Sequence, residues 1–189
     1  MDILRVIAGI AKGHKLKTVK GMTTRPTSDR VKESLFNIIA QYIADRNVLD
    51  LFAGTGSLGI EALSRGAATA VFTDKSRDCC DIIRDNLIHT KLHEKGTVFN
   101  ESFMENLARM YGEGRRFDIV LLDPPYNKNF IQESLRFLSK NDIISENGIL
   151  IAEHHIKDML PEHEGRLQLV NIWKYGEMAL TMFKVRGHT

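Results

Sequence analysis

Two short segments of the 189-residue chain carry residues whose types and spacing can do chemistry. The first is Asp123-Pro124-Pro125-Tyr126, directly after the apolar run Phe117 to Leu122. Prolines fix φ and lack N–H groups, so this turn is stiff and its carbonyls are free to accept. The Asp123 carboxylate and the Pro124 carbonyl can both accept hydrogen bonds from one NH2 group, and the Tyr126 ring can stack on the base that carries it. An aromatic exocyclic amine is a poor nucleophile, because its lone pair is delocalised into the ring. Two acceptors orient it, stabilise the charge that develops as a bond forms at nitrogen, and aim it at an electrophile. Asp123 can take the proton afterwards.

The second segment is VLDLFAGTGSLG, residues 48–59, with the spacing Gly54-x-Gly56-x-x-Gly59 between a strand pattern and a helix pattern. Glycines let the chain turn tightly and let a cofactor approach without meeting a Cβ. Asp74, 20 residues after Gly54, ends the next strand pattern, where a carboxylate can accept from ribose hydroxyls. A nicotinamide enzyme shares those features. Asp50, four residues before Gly54, points elsewhere: a carboxylate there repels a pyrophosphate but favours the cationic end of S-adenosylmethionine, directly or through water. The alternative for Asp50 is an acid that braces the loop or caps the helix.

The elements that must position these turns follow from periodicity. Apolar residues at Val31, Leu35, Ile38, Ile39 and Tyr42 predict an amphipathic helix, with N-cap candidates Thr27, Ser28 and Asp29 after Pro26. Strands are predicted at Asn47–Phe52, Ala70–Thr73, Thr97–Phe99, Phe117–Leu122 and Gly148–Glu153. Helices are predicted at Ser57–Arg65, Ser76–His89, Met104–Tyr111 and Phe130–Ser139. Leu167–Lys174 and Met178–Val185 around Tyr175-Gly176-Glu177 read as a β-hairpin. Strands alternating with helices of this length predict right-handed βαβ units: an α/β, mostly parallel seven-stranded sheet with helices on both faces and the hairpin as an antiparallel edge. Ile3–Gly21 reads as short strands with glycine turns. The boundary falls near residues 21–25, giving a basic N-terminal β extension over 1–24 and an α/β body over 25–189.

Charge separates the same two parts. Residues 1–32 carry eight Lys or Arg against Asp2 and Asp29, an excess of six, which leaves the rest at net −4 in a chain of net +2. A basic arm on an acidic body suits a polyanionic partner, because phosphate contacts release condensed counterions. No apolar run reaches the ~18 residues of a membrane span, and residues 1–20 lack the pattern of a signal peptide. Cys79 and Cys80 are adjacent within a helix pattern, so no ordinary disulfide framework is expected. The cytoplasm is the expected compartment. The seven histidines form no ligand pattern: His89 and His93 lack a third partner, and His154-His155 follows a strand, so no metal is expected. The Ile82, Ile83 and Leu87 stripe reads as core, and Trp173 and Tyr175 as hairpin packing.

Taken in order, RVIAGIAKGHKL (5–16), RPTSDRVKESLFNII (25–39), VLDLFAGTGSLGIEALSRGA (48–67) and DPPY (123–126) resemble the bacterial RsmD-like family of class I, Rossmann-like methyltransferases, over most of the chain. That family methylates N2 of a guanine in 16S ribosomal RNA of the small subunit. The resemblance implies that Asp50, Phe52, Ala53, Gly54 and Gly56 line the methionine and ribose pocket of S-adenosylmethionine, with Asp74 on the ribose and Lys75 beside the adenine. It implies contributions from Arg25 and Thr27, and places Ser102 and Phe103 at the adenine edge. Many relatives have an acid where Ser102 stands, so the neighbouring Glu101 or a backbone carbonyl is an alternative partner for the adenine amine. Arg5, Lys12, Lys15, Arg30 and Lys32 become candidates for RNA phosphates, with Arg115-Arg116 a further possibility. A monomer is expected.

Other readings stay open. The same turn occurs in enzymes that methylate adenine N6 of DNA or RNA. Glutamine-modifying protein methyltransferases resemble the body but usually carry Asn where Asp123 stands. A nicotinamide oxidoreductase is disfavoured by Asp50 and the Asp-Pro-Pro-Tyr turn. A non-catalytic RNA-binding module has no need of glycine turn, ribose acid and DPPY together.

Overall fold

The computed structural model describes residues 4–19, 29–125 and 129–186. Helix α1 (Asp29–Ile38) precedes strand β1 (Asn47–Asp50) and helix α2 (Ser57–Ser64). Then follow β2 (Thr69–Asp74), α3 (Arg77–His89), β3 (Gly96–Asn100), α4 (Phe103–Gly112), β4 (Phe117–Leu122), α5 (Phe130–Lys140) and β5 (Ile144–His155). The C-terminal strands are β6 (His163–Glu164), β7 (Leu167–Tyr175) and β8 (Met178–Val185).

The strands form one sheet in the order β3-β2-β1-β4-β5-β8-β7-β6. β1 to β5 are parallel, and β8, β7 and β6 complete an antiparallel edge. The sheet has eight strands rather than the seven expected, because the two-residue β6 pairs with β7 beyond the hairpin. β5 is also longer than expected, so His154 and His155 lie inside the strand, opposite Ala179 and Met178. Alternation along each strand sends Val48, Ile119, Leu121, Ile149 and Ile151 to one face, and Leu49, Val120, Leu122, Leu150 and Ala152 to the other. Helices α1, α2 and α3 cover the first face; α4 and α5 cover the second. After β3 the chain crosses back past β1 to add β4. That reversal opens a crevice at the carboxyl ends of β1 and β4, where open α/β sheets place their ligands.

Among its described residues, 4–19, the N-terminal segment forms a single β-bridge rather than a pair of extended strands. It closes as a tight loop: Val6 N–H donates to His14 O (2.9 Å), Gly13 N–H to Val6 O (2.9 Å), and Arg5 forms a single antiparallel bridge with Lys15. Val6, Ala11 and Leu16 belong to the same buried cluster as α1 and α2. Helix α2 holds the loop by its backbone. Glu61 accepts from Ile7 N–H (2.8 Å) and Ala8 N–H (3.0 Å). The Ser64 hydroxyl donates to Ala8 O (2.6 Å) and accepts from Ala11 N–H (3.0 Å), while Ser64 O accepts from Ile10 N–H (2.9 Å).

The docking leaves no room at Gly9. Its φ is +85°, and a Cβ there would meet Ser64 O at 1.8 Å. Gly9→Ala must therefore strain its own backbone and push the loop off α2, at a cost of ~2–4 kcal/mol. Thermal denaturation should show a melting temperature lowered by roughly 4–12 °C; an unchanged value would refute the docking.

Candidate active site

The site assembles from turns that leave the carboxyl ends of β1, β2 and β4. Asp50, the last residue of β1, is 1% exposed. Its Oδ2 accepts from Gly59 N–H (2.9 Å), which pins the first turn of α2 to the strand. Its Oδ1 is buried with no hydrogen-bond partner among the described residues. One oxygen thus braces the turn, as the second sequence reading of Asp50 has it, and the other is left over. Burial pushes the Asp50 carboxyl up to about 7; the Gly59 N–H opposes that rise, and Asp123 and Asp74 add to it through charge repulsion.

The glycines divide the labour. Gly54 and Gly56 have φ of +53° and +77°, the left-handed region, and a Cβ on Gly54 would meet nothing within 4 Å, so that backbone faces open space. Gly59 permits contact rather than conformation: a Cβ there would meet the Phe72 ring at 2.3 Å, so α2 lies close on the sheet. At the end of β2, Asp74 Oδ2 accepts from Gly54 N–H (2.9 Å) and Oδ1 from Ser76 N–H (2.8 Å). Each oxygen keeps acceptor capacity for a further donor. Ala53 is buried, Phe52 half-buried and Lys75 exposed.

Asp123 is half-buried at the end of β4 and Pro124 is buried. Tyr126, Arg25 and Thr27 lie outside the described residues. Phe52, Phe103 and Phe130 form a three-ring cluster with centroids 5.1, 5.2 and 5.8 Å apart. It joins the glycine turn, the start of α4 and the start of α5 beside the Asp-Pro turn. Ser102 is the N-cap of α4: its hydroxyl accepts from Glu105 N–H (3.3 Å), and the Glu105 carboxylate accepts from Ser102 N–H (2.8 Å). Glu101 is held by Arg109, whose Nε donates to both carboxylate oxygens (2.9 and 3.2 Å). Both side chains weighed for the adenine amine are thus committed to α4.

Of the basic residues, Arg5, Lys12, Lys15 and Arg30 are exposed. Arg5 pairs with Asp29 at 3.1 Å. Lys32 is a correction. It is 1% exposed, and its ammonium donates to Arg5 O (2.6 Å) and Ser57 Oγ (3.0 Å), with Glu61 at 3.9 Å. It cannot reach a phosphate; it ties the loop and α1 to the start of α2. Burial lowers its pKa, and Glu61 opposes that shift. Arg115 and Arg116 precede β4, at the amino end of the sheet. At ~3.3 Å per residue they lie roughly 20 Å from Asp123, and Arg116 pairs with Asp142 (3.7 Å). They do not belong to this site.

Sequence reasoning missed Phe130, Glu153 and the clasping pair Glu61 and Ser64. Glu153 ends an apolar run as Asp50 and Asp123 do, and that shared placement was the available signal. Glu61 sits on a helix buried nearly all round, where an acid reads as a surface position until its partners 53 and 54 residues away are seen.

A family model described as conserved hypothetical protein 95 matches residues 4–184. The chain is 37% identical to the YlbH protein of Bacillus subtilis over 184 residues, 97% of this chain and 100% of that one. It is 33% identical over 181 residues to the ribosomal RNA small subunit methyltransferase D of Escherichia coli, covering 96% of this chain and 89% of the relative. Among solved structures, the yhhF protein of Escherichia coli superposes with a TM-score of 0.87 at 32% identity, covering 99% of this chain and 100% of its own. The fold is that of the Rossmann-like methyltransferases.

The Asp50 carboxyl makes stability depend on pH. Its folded pKa of about 7 lies above the ordinary value of 3.8. The folded state therefore binds the proton more tightly, and the stability this group contributes is present at low pH and lost as pH rises through 7. Asp50→Asn removes that titration. The melting temperature of the wild type relative to Asp50→Asn should fall between pH 5 and pH 8.5; a constant difference would contradict the raised pKa.

Proposed function

The chain belongs to the conserved hypothetical protein 95 family, the RsmD family, and from that premise we propose an S-adenosylmethionine-dependent ribosomal RNA methyltransferase. Its target is the exocyclic N2 of one guanine in 16S ribosomal RNA of the small subunit. The observation that carries the reading is the buried Asp50 carboxylate with an unpartnered oxygen, beside a glycine turn that faces open space. A buried carboxylate of this kind calls for a cationic or hydrogen-bonding donor. S-adenosylmethionine supplies an ammonium, and the turn 50–56 contains no Lys or Arg to hold a pyrophosphate.

When bound, the cofactor supplies an electrophilic methyl group on a sulfonium. In the proposed site Asp50 faces its ammonium, directly or through water. Asp74 accepts from the ribose hydroxyls through the lone pairs left by Gly54 and Ser76. Phe52, Ala53, Gly54, Gly56 and Phe103 line the pocket, with Lys75 at its rim; Arg25 and Thr27 are assigned there by family position only. Asp123 and the Pro124 carbonyl accept from the amine and orient its nitrogen, Asp123 takes the proton released, and Tyr126 stacks on the base. A guanine amine is normally stacked or paired, so the target base must be splayed out to enter. Arg5, Lys12, Lys15 and Arg30 hold the flanking phosphates.

Labelled S-adenosylmethionine, incubated with small ribosomal subunits lacking the modification, tests the proposal directly. Digestion should release N2-methylguanosine from one site; N6-methyladenosine, or no labelled nucleoside, would overturn the assignment. Asp123→Ala should abolish transfer while cofactor affinity, measured by calorimetry, stays within about three-fold, since only the amine loses its acceptor; full activity would remove Asp123 from the chemistry. The double variant Lys12→Ala, Lys15→Ala should weaken RNA binding and flatten its dependence on log salt by about one unit per lost phosphate contact. An unaltered slope would take both lysines off the RNA path.

A further inference from the structure

The carboxyl edge of the sheet carries a third acid that neither the cofactor nor the amine engages in the scheme above. Glu153 is 3% exposed and stands on β5, next to β4. Leu122 is in register with Ala152, so Asp123 and Glu153 are the next residues on adjacent strands. Ile119 and Leu121 of β4 share a cluster with Ile149 and Ile151 of β5, and Val48 of β1 belongs to it too. Continuing the alternation by one step places Asp50, Asp123 and Glu153 on one face of three neighbouring strands. Repulsion between Asp50 and Asp123 is already felt in the raised Asp50 pKa, and Asp50 retains its unpartnered buried oxygen within the row.

Building on the guanine reading, we propose that Glu153 reads the N1–H of the target base and so sets guanine over adenine. The Watson–Crick edge of guanine presents two donors side by side, N1–H and the 2-amino group. Adenine presents an amine beside N1, which is an acceptor. An amine-holding turn flanked by a carboxylate matches the first pattern: Asp123 and the Pro124 carbonyl take the amine, and Glu153 takes N1–H one strand away. Against adenine, the same carboxylate faces a lone pair, and the buried site leaves little water to relieve the repulsion. Glu153 is a specificity-determining residue in this scheme and moves no proton.

2-Aminopurine separates this from a packing role, because it keeps the 2-amino group but has an acceptor at N1. Small-subunit RNA carrying guanine or 2-aminopurine at the target position is methylated with wild-type protein, Glu153→Gln and Glu153→Asp. Wild type should favour guanine by roughly 10- to 100-fold in kcat/KM. Glu153→Gln, whose amide can donate to N1, should lower that ratio by about ten-fold or more, with cofactor affinity preserved; Glu153→Asp should keep the preference at reduced rate. Wild type that accepts 2-aminopurine as readily as guanine overturns the assignment without any variant. Equal losses on both bases in Glu153→Gln also overturn it, and leave the guanine reading standing. Wild type inactive on guanine overturns both.

Discussion

Everything in this protein hangs on a carboxylate that has no access to water. Glu61 is 0% exposed, yet it accepts from two backbone N–H groups of the N-terminal loop and from Arg65 Nε (2.8 Å), with the Lys32 ammonium at 3.9 Å. A charge in that position is tolerable only because its donors are complete, and removing one partner of such a set typically costs ~3–5 kcal/mol. The loop, α1 and α2 therefore stand or fall together. The same helix is capped by Gly56, so the surface that carries Arg5 and Lys15 and the glycine turn are two ends of one unit. Lys32 makes the link literal: its ammonium bridges Arg5 O and Ser57 Oγ.

The sheet edge uses charge differently. There Asp50, Asp123 and Glu153 stand at the carboxyl ends of neighbouring strands, and Asp50 keeps one buried oxygen with no hydrogen-bond partner among the described residues. Glu61 turns its acceptors inward to fix structure, whereas Asp50 gives one oxygen to the turn and leaves the other unmet among the described residues. Asp74 lies between these extremes, with one backbone N–H on each oxygen. Electrostatic strain is thus concentrated at the carboxyl edge of the sheet.

Much of this was legible in the sequence because the signals are local. The 3.6- and 2-residue periods placed all five helices and the main strands to within a few residues, and the glycine spacing located the turn. The hairpin strand Met178–Val185 has the bounds its apolar run predicts. What the sequence hid was long-range. Lys32 looked like one more cation in a basic segment, and only the meeting of α1 with α2 buries it. The Ile3–Gly21 segment looked like strands because alternating apolar and basic residues mimic them; within its described residues one β-bridge closes the loop, and backbone groups of residues 7–11 bond to α2. Ser102 read only as an adenine-edge position without the usual acid; that Ser102 and Glu105, three residues apart, also form a capping box was there to be seen. The eighth strand, two residues long, has no periodicity to detect.

The clasp on the N-terminal loop also orders events during synthesis. The loop leaves the ribosome ahead of the helices that hold it, for its hydrogen-bond partners Glu61, Ser64 and Asn86 lie 53 to 69 residues further along. Its own short-range bonds, such as Val6 to His14, can form at once, but its docking waits for α2 and α3, and contacts of that sequence separation form late because loop closure must precede them. A nascent chain stalled before residue 57 should present residues 4–19 undocked, and docking then completes the first body helices rather than seeding them.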